Sequence, residues 1–588
     1  MNIIGRRWGP AILGWALVLA GAMLAHLIQT SGGVRLREVR YLGASGETLA
    51  ALLYTPPHAT TATPAPAILV SHGYINTREM QSPFAIELAR RGFVVLAIDM
   101  AGHGYSGGAV GTDDGGGPDG LRYLQSLPFV NKAEIGLEGH SMGGVPVVGA
   151  ALAQPGGYRS MVLEGSTLPE AGQVGSASPD FPRNLEVVFG RYDEFAPLMW
   201  HEPKGALVGA APKMMALFGQ GSPVQPGQIR GNIADGTARR LILPPVTHPM
   251  EHFSAAGVGA AVDWFQLTLR GEASPRPVGE QIWFWKEVGT LISLIGFVVL
   301  VLGTFHALAQ SAGAPTRPAE GRETGGLRWW AAIAATTAVP ALTYYLLMGV
   351  GFAFLPSRFF PEWVTNQLVV WVLANAAVGL VLSLLAPRNG GGRSPGWLRP
   401  TLLALASAAM GYVSIIVADR VFKTDFRFWV VGLKPLDGRH ALDALAYFPL
   451  FLIAFLAMQR GLIGLVAGRR GATAQYATGI LAMSVGFITL IGVQYAWLMT
   501  TGLLASPAEA LNTIIAIQFI PILAFVGLAG VFTWRRTGNF IGGAVLCALV
   551  VTWYITAGTA THWRPGWTVP HSAGLFPDRP AAPMTPRA

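Results

Sequence analysis

Two patterns of apolar and polar positions divide the chain. From about Val288 onwards long apolar runs recur, each near the roughly 20 residues needed to cross the hydrocarbon core of a bilayer. With one further run near the N-terminus they number nine: Trp8 to Ile28, Val288 to Ala309, Trp329 to Leu355, Trp363 to Ala386, Leu402 to Ala418, Leu442 to Met458, Ile480 to Leu503, Leu511 to Trp534 and Phe540 to Thr559. They predict an N-terminal anchor over 1–33 and an all-α polytopic membrane domain of about eight helices over 280–560, followed by a flexible Pro-rich tail over 561–588. Between anchor and membrane domain, over 34–275, short apolar runs alternate with helical periodicity and glycine turns, the mark of a sheet with crossover helices. The predicted strands are Arg37 to Leu42, Thr48 to Tyr54, Ala67 to Ser71, Phe93 to Ile98, Glu134 to Glu138, Met161 to Glu164, Leu185 to Phe189 and Arg240 to Leu243. The first two form a hairpin around Ala44-Ser45-Gly46, whereas Ala67-Ile68-Leu69-Val70 and Val94 to Ile98 are continuous apolar runs, as buried parallel strands require.

Composition sharpens this division. Of 588 residues 51% are hydrophobic and 12% charged, against about 25% charged in soluble domains, so the whole chain is not an ordinary soluble enzyme. The net charge of +9 comes from dispersed arginines, without a basic tract or a nucleic-acid motif. Membrane lipids, especially anionic ones, are therefore the expected partner for it, and nucleic acid is not. The lone cysteine, Cys547, excludes an intrachain disulfide and a cysteine-based zinc site. The first apolar run comes after Arg6 and Arg7 and contains a passable cleavage site at Ala20-Gly21-Ala22. It exceeds the 7 to 15 residues of a signal h-region, so an uncleaved anchor is favoured over a signal peptide, and either would export the domain C-terminal to it.

Orientation is set by lysines and arginines in short loops. With a cytoplasmic N-terminus, inner segments carry thirteen of them and outer segments of the membrane half nine. The basic loop with Arg420, Lys423, Arg427, Lys434 and Arg439 weakens that margin, and Arg35, Arg37 and Arg40 also oppose it. The expectation is a multi-pass cell-membrane protein whose 34–275 domain is extracytoplasmic.

The chemistry centres on Gly139-His140-Ser141-Met142-Gly143. A G-x-S-x-G pentad between strand and helix forces a sharp turn that projects the serine hydroxyl at a helix N-terminus, where negative charge is favoured. A second match, Gly104 to Gly108, places Ser106 before a Gly/Asp-rich run ending at Gly117 rather than before a helix. Ser141, which comes after a strand and precedes a helical pattern, is the candidate nucleophile.

In order along the chain stand Ser71-His72-Gly73-Tyr74, then Asp99-Met100-Ala101-Gly102-His103-Gly104-Tyr105-Ser106, then the Ser141 pentad. The segment from Val34 to Gly271 thereby resembles the α/β-hydrolase superfamily, most closely the branch with serine aminopeptidases, monoacylglycerol lipases and dienelactone-hydrolase-like esterases. The resemblance implies an α/β-hydrolase domain with a mostly parallel eight-stranded sheet and helices on both faces. It further implies an oxyanion hole from the backbone N–H groups of Tyr74 and Met142, an acid after the strand Leu185 to Phe189, and a base after the last strand. Asp193 fits the acid position, with Glu194 and Asp99 as alternatives. His248 is favoured as base, with His252 the alternative, placed at a helix N-terminus where the dipole disfavours its protonated form.

Other histidines, His72, His103, His140 and His201, suit turns or packing, and no metal-ligand spacing or cofactor motif is present. A cap between Glu164 and the acid-bearing strand is short. The stretch Glu194 to Arg239 is long instead, and its clusters Phe195 to Trp200 and Met214 to Phe218 would form either a membrane-facing lid or a packed surface helix. In the membrane half, Asp419, Arg420, His440, Asp443 and His306 fall at span ends, and Trp329, Trp330, Trp363 and Trp534 suit an interfacial belt. That half could be an anchor, a conduit or a partner-binding platform, and no motif names a protein partner. The function expected is a membrane-anchored serine hydrolase of a small or lipid-like acyl substrate; acyl transfer by the same residues, or a transport or signalling protein with a ligand-binding hydrolase-like domain, are the alternatives.

Overall fold

The computed structural model describes residues 3–269, 276–313, 326–385, 396–558 and 561–566. Arg317, Arg322, Arg388, Arg393, Arg579 and Arg587, the boundary at Gly271 and the chain beyond residue 566 lie outside the described residues. The chain forms two compact units. One comprises residues 1–26, 287–495 and 511–560; the other comprises 27–286, 496–510 and 561–588.

The second unit is built on an eight-stranded sheet: β1 (Arg35–Leu42), β2 (Thr48–Thr55), β3 (Ala65–Ser71), β4 (Val94–Ile98), β5 (Val130–His140), β6 (Ser160–Glu164), β7 (Leu185–Val188) and β8 (Arg239–Ile242). Their order is β1-β2-β4-β3-β5-β6-β7-β8. Strand β2 is antiparallel to both β1 and β4, and every pairing from β4 to β8 is parallel. All eight strands occur where the apolar runs predict, with ends shifted by a few residues.

Helices cover both faces, and the pleat explains why the central strands are apolar throughout. Leu69, Leu96 and Leu137 point into one core, which includes Leu121 of α3 (Gly117–Ser126) and Val147 of α4 (Gly144–Ala153). Ile68, Val70, Val95 and Ala97 alternate with them into a second core, with Phe84 of α2 (Ser82–Ala89) and Trp264 of α7 (Ala255–Thr268). Successive strand residues face opposite sides, so a strand covered twice has no solvent face to leave polar.

The insertion between β7 and β8 holds the short helices α5 (Ala196–Met199) and α6 (Pro212–Leu217). Met199, Trp200, Met214 and Leu217 are buried in the first core, and the Trp200 indole N–H donates to the Ser166 carbonyl at 3.1 Å. These apolar clusters are therefore domain core rather than a lid, because burying them satisfies a large apolar area that the bare sheet edge cannot cover.

The other unit begins with α1 (Ile3–Gln29) and continues through α8 (Trp283–Ser311), α9 (Leu327–Leu342), α10 (Tyr344–Gly351), α11 (Trp363–Leu385), α12 (Leu398–Val417), α13 (Gly438–Val466), α14 (Ala472–Thr501), α15 (Ala510–Thr537) and α16 (Ile541–Gly558). Among the described residues eight helices are long and apolar enough to cross a membrane, and α9 with α10, bent by 47°, makes a ninth if counted as one span. This region is mostly helical, and among the described residues the expected all-α character is broken only by a two-stranded hairpin after α12. Helices α1 and α8 meet backbone to backbone through glycines repeating every seven residues, Gly14 and Gly21 on one, Gly289, Gly296 and Gly303 on the other. A Cβ at Gly296 would stand 2.7 Å from the Val18 nitrogen, and one at Gly289 the same distance from the Ala25 nitrogen. Small residues allow such contact where apolar burial gives no net attraction between helices in lipid.

Two expectations change here. Trp363 and Trp534, expected in an interfacial belt, are buried between helices, whereas Trp330 is exposed. The basic loop after α12 contains a small hairpin, Phe426–Phe428 with Val431–Leu433. Within it Arg427 is buried against Asp425 at 2.8 Å, and Lys434 is buried too, so neither behaves as a free loop charge.

Trp200→Ala is expected to cost the domain about 3–5 kcal/mol, as for other buried aromatics, read as a lowered unfolding midpoint; an unchanged midpoint with altered activity on lipid aggregates would restore the lid. Gly296→Val is expected to separate α1 from α8 and cut the yield of folded protein extracted in mild detergent, whereas Gly349→Val, at an open position, should be tolerated.

Candidate active site

Strand β5 runs straight into the pentad, and the turn is set by what cannot fit. A Cβ at Gly139 would run into the Gly143 carbonyl, and one at Gly143 into the carbonyls of Ser71 and His72. With those approaches free, the chain reverses at Ser141, whose φ is +55°, and enters α4. A non-glycine residue at positive φ is strained. The Ser166 hydroxyl holds the turn by donating to the Ser141 carbonyl at 2.7 Å. Ser106, the other pentad serine, is structural: its hydroxyl donates to the Asp99 carbonyl at 2.7 Å and accepts from the Ala50 N–H at 2.9 Å. Asp99 is likewise committed, accepting from the backbone N–H groups of Arg78 and Tyr105.

The loops after β7 and β8 bring an acid and an imidazole to the serine. Asp193 Oδ1 accepts from the Phe195 N–H at 2.7 Å, and Oδ2 lies 2.8 Å from His248 Nδ1. His248 Nε2 stands 2.9 Å from Ser141 Oγ. Glu194, the alternative acid, instead accepts from the His248 backbone N–H at 2.8 Å. His252 does not reach the serine. Its Nδ1 is 3.4 Å from His140 Nε2, and its ring meets the His140 ring edge-on at 4.5 Å. It sits in a 3-10 turn, His248–Phe253, and α7 begins after the Ser254 cap. The helix-dipole argument for His252 therefore fails, because the proline and the cap delay the helix.

The expected oxyanion donors flank the serine. Met142 is the next residue in the turn Ser141–Gly143. Gly73, next to Tyr74, packs so closely on the elbow that a Cβ there would lie 3.0 Å from Ser141 Cβ.

Sequence reasoning missed a layer of acids behind the base. Glu251 Oε1 accepts from the Gly190 N–H at 2.5 Å, and Oε2 lies 3.4 Å from His140 Nε2 and 3.8 Å from His248 Nδ1. Burial, and then the charges of Asp193 and Glu164, push the Glu251 carboxyl well above the usual carboxylate range. Burial and the neighbouring His252 and His248 hold His140 well below the usual imidazole range. On the α7 face, Glu138, Glu164 and Glu186 sit on three adjacent strands. Burial raises all three, Glu186 to about 8 even with Arg240 against it. Their signal was visible as single glutamates inside otherwise apolar strands. His140, His248 and Glu251 also lie close enough to hold a cation. Both His248 nitrogens already face Asp193 and Ser141, so an ion there would remove the base rather than assist it.

Residues 62–205 match the family described as serine aminopeptidase, S33. The domain has an α/β-hydrolase fold. A comparison with curated proteins finds no match. Among solved structures, the chain is similar to the hypothetical protein PA2218 of Pseudomonas aeruginosa, at 29% identity over 23% of this chain and 44% of that one, with a TM-score of 0.21. It is also similar to DcsB, solved with a substrate analogue, at 22% identity over 23% and 48% of the two chains and a TM-score of 0.20. The chain thus spans under half the length of these two proteins. The Pyrococcus furiosus esterase Pf2001 is 15% identical over 40% of this chain and 90% of its own, with a TM-score of 0.29.

Burial alone would lower the His248 pKa, but the Asp193 charge and hydrogen bond, with Glu194 behind them, raise it above its ordinary value. A protonated imidazole cannot accept the Ser141 proton, so activity should fall as pH drops through that raised pKa. The acid limb of fluorophosphonate labelling is expected above the ordinary midpoint of about 6.5. Asp193→Asn should move the limb to lower pH and slow the reaction by roughly 10⁴-fold.

Proposed function

We propose that the protein is a membrane-anchored serine hydrolase that cleaves an ester or amide bond of a small or lipid-like acyl substrate. Ser141 is the nucleophile, His248 the base and Asp193 the acid, with the Tyr74 and Met142 N–H groups as the oxyanion hole. The observation that carries this reading is the unbroken line from Asp193 Oδ2 through His248 to Ser141 Oγ, at 2.8 and 2.9 Å, ending at a serine on a strained strand-to-helix turn.

In the first step His248 Nε2 takes the Ser141 proton as Oγ attacks the acyl carbon, and the charge that develops on the carbonyl oxygen meets the two N–H donors. The imidazolium, stabilised by Asp193, then protonates the leaving group, and an acyl-enzyme remains. Water, deprotonated by the same imidazole, releases the acid and restores the serine.

The uncleaved anchor is supported by the glycine contacts that pack α1 against α8. Residues 496–510 and 561–566 share a compact unit with the hydrolase domain. The burial of Arg427 and Lys434 lowers the outer positive count and favours an extracytoplasmic domain with 34–275 as its main body.

Labelling of intact cells with a membrane-impermeant fluorophosphonate tests both parts. Wild type should label from outside, Ser141→Ala not at all, His248→Ala at least about 10³-fold more slowly, and His252→Ala near the wild-type rate. Labelling only after lysis would reverse the orientation. No adduct on folded protein in lysate would sink the hydrolase reading, and loss in His252→Ala alone would exchange the bases.

A further inference from the structure

The segment after α16 belongs to the hydrolase unit. Thr561, His562 and Trp563 are buried. The His562 N–H donates to the Gly102 carbonyl at 2.8 Å, the Val110 N–H donates to the His562 carbonyl at 2.9 Å, and Thr561 bridges His103 in antiparallel fashion. This short stretch thus pairs with the loop after β4 through one antiparallel bridge flanked by two backbone hydrogen bonds. Gly102 permits the approach, since a Cβ there would stand 2.9 Å from the His562 carbonyl.

Its Trp563 ring meets the Tyr74 ring edge-on at 6.1 Å. The opposite neighbour of Tyr74 is the His103 ring, edge-on at 6.0 Å. Tyr74 is held between a ring from the β4 loop and a ring from the far end of the chain. Its own loop needs holding: Ile75, the next residue, has a φ of +55°, a conformation that a β-branched side chain resists. Gly73, the previous residue, lies against Ser141.

We propose that Trp563 is a positioning residue for the oxyanion hole, clamping Tyr74 so that its backbone N–H is aimed at the developing oxyanion. This rests on the Ser141 reading above and extends it. The strained loop between Gly73 and Ile75 cannot keep its geometry by local preference, and the clamp supplies the missing constraint through the ring contact on the Tyr74 side chain. Transition-state stabilisation at Ser141 therefore depends on a residue that the chain delivers only after all its membrane helices.

The test uses the full-length protein in detergent, with active sites counted by fluorophosphonate titration and turnover measured on a p-nitrophenyl ester. Misplacing an oxyanion donor costs turnover rather than binding, so Trp563→Ala should lower kcat per active site by roughly 30-fold at little-changed KM, and Trp563→Phe, which keeps the ring edge, by only about 3-fold. Tyr74→Ala, which removes the ring that Trp563 meets but keeps the N–H, should match Trp563→Ala, and the double variant should be little slower than either alone. A merely structural role would reduce the count of active sites and the unfolding midpoint while leaving kcat per site intact. A kcat within twofold of wild type in Trp563→Ala would overturn the proposal; should that variant fail to fold, wild-type kcat in Trp563→Leu, which keeps the bulk but no ring, would do so. Wild-type protein that takes no label would instead count against the Ser141 reading itself.

Discussion

The hydrolase domain depends on one steric constraint, the passage of the chain through Gly139 and Gly143 at the end of β5. Neither position admits a Cβ, because the backbone carbonyls of residues 143, 71 and 72 occupy the space. That closeness turns the chain sharply enough to put Ser141 at positive φ and to start α4 directly beneath it. Strain of this kind persists only where the surroundings over-determine it. Here the parallel pairing of β5 with β3 and β6, and the Ser166 hydroxyl on the Ser141 carbonyl, supply that determination.

Behind the proposed nucleophile the electrostatics are divided by burial. Asp193 and Glu194 reach His248 from one loop, the first at Nδ1 and the second at the backbone N–H, and they outweigh the burial that would drive the imidazole to its neutral form. Glu251, Glu164 and Glu138 lie deeper, where desolvation raises them. Charge is thus kept next to the imidazole that must become positive and kept away from the sheet beneath it. The same low-dielectric surroundings that make Asp193 effective would make a second ionised carboxylate costly.

The unit of apolar helices follows a different rule. In lipid, apolar helices would have no hydrophobic drive to associate, and close backbone approach would replace it. The glycine repeat of α1 and α8 shows this most clearly, and it gives the first helix a packed partner within its own unit. At the other end of the chain the segment after α16 pairs its backbone with the β4 loop. Chain order therefore does not separate the two units: the hydrolase unit draws residues from between the first two apolar helices, from the connection after α14 and from the segment after α16.

The alternation of periods along the chain was enough to place all eight strands, the apolar spans and the strand-to-helix context of Ser141, because each is a local pattern of two, 3.6 or about 20 residues. The resemblance favoured Asp193 and His248 while leaving Glu194, Asp99 and His252 open, and the folded chain brings Asp193 and His248 into line with Ser141. What sequence could not decide were facts of packing. The insertion after Asp193 reads as apolar clusters, and only the tertiary structure buries Trp200 and Met214 in the core. His252 looked like a rival base until the turn at Pro249 and the Ser254 cap turned it towards His140. Trp563 carried no local signal, since its partner Tyr74 lies nearly five hundred residues earlier. Periodicity is written in neighbours along the chain, whereas the clamp on Tyr74, the acids behind His248 and the glycine seam of α1 and α8 exist only once distant segments meet.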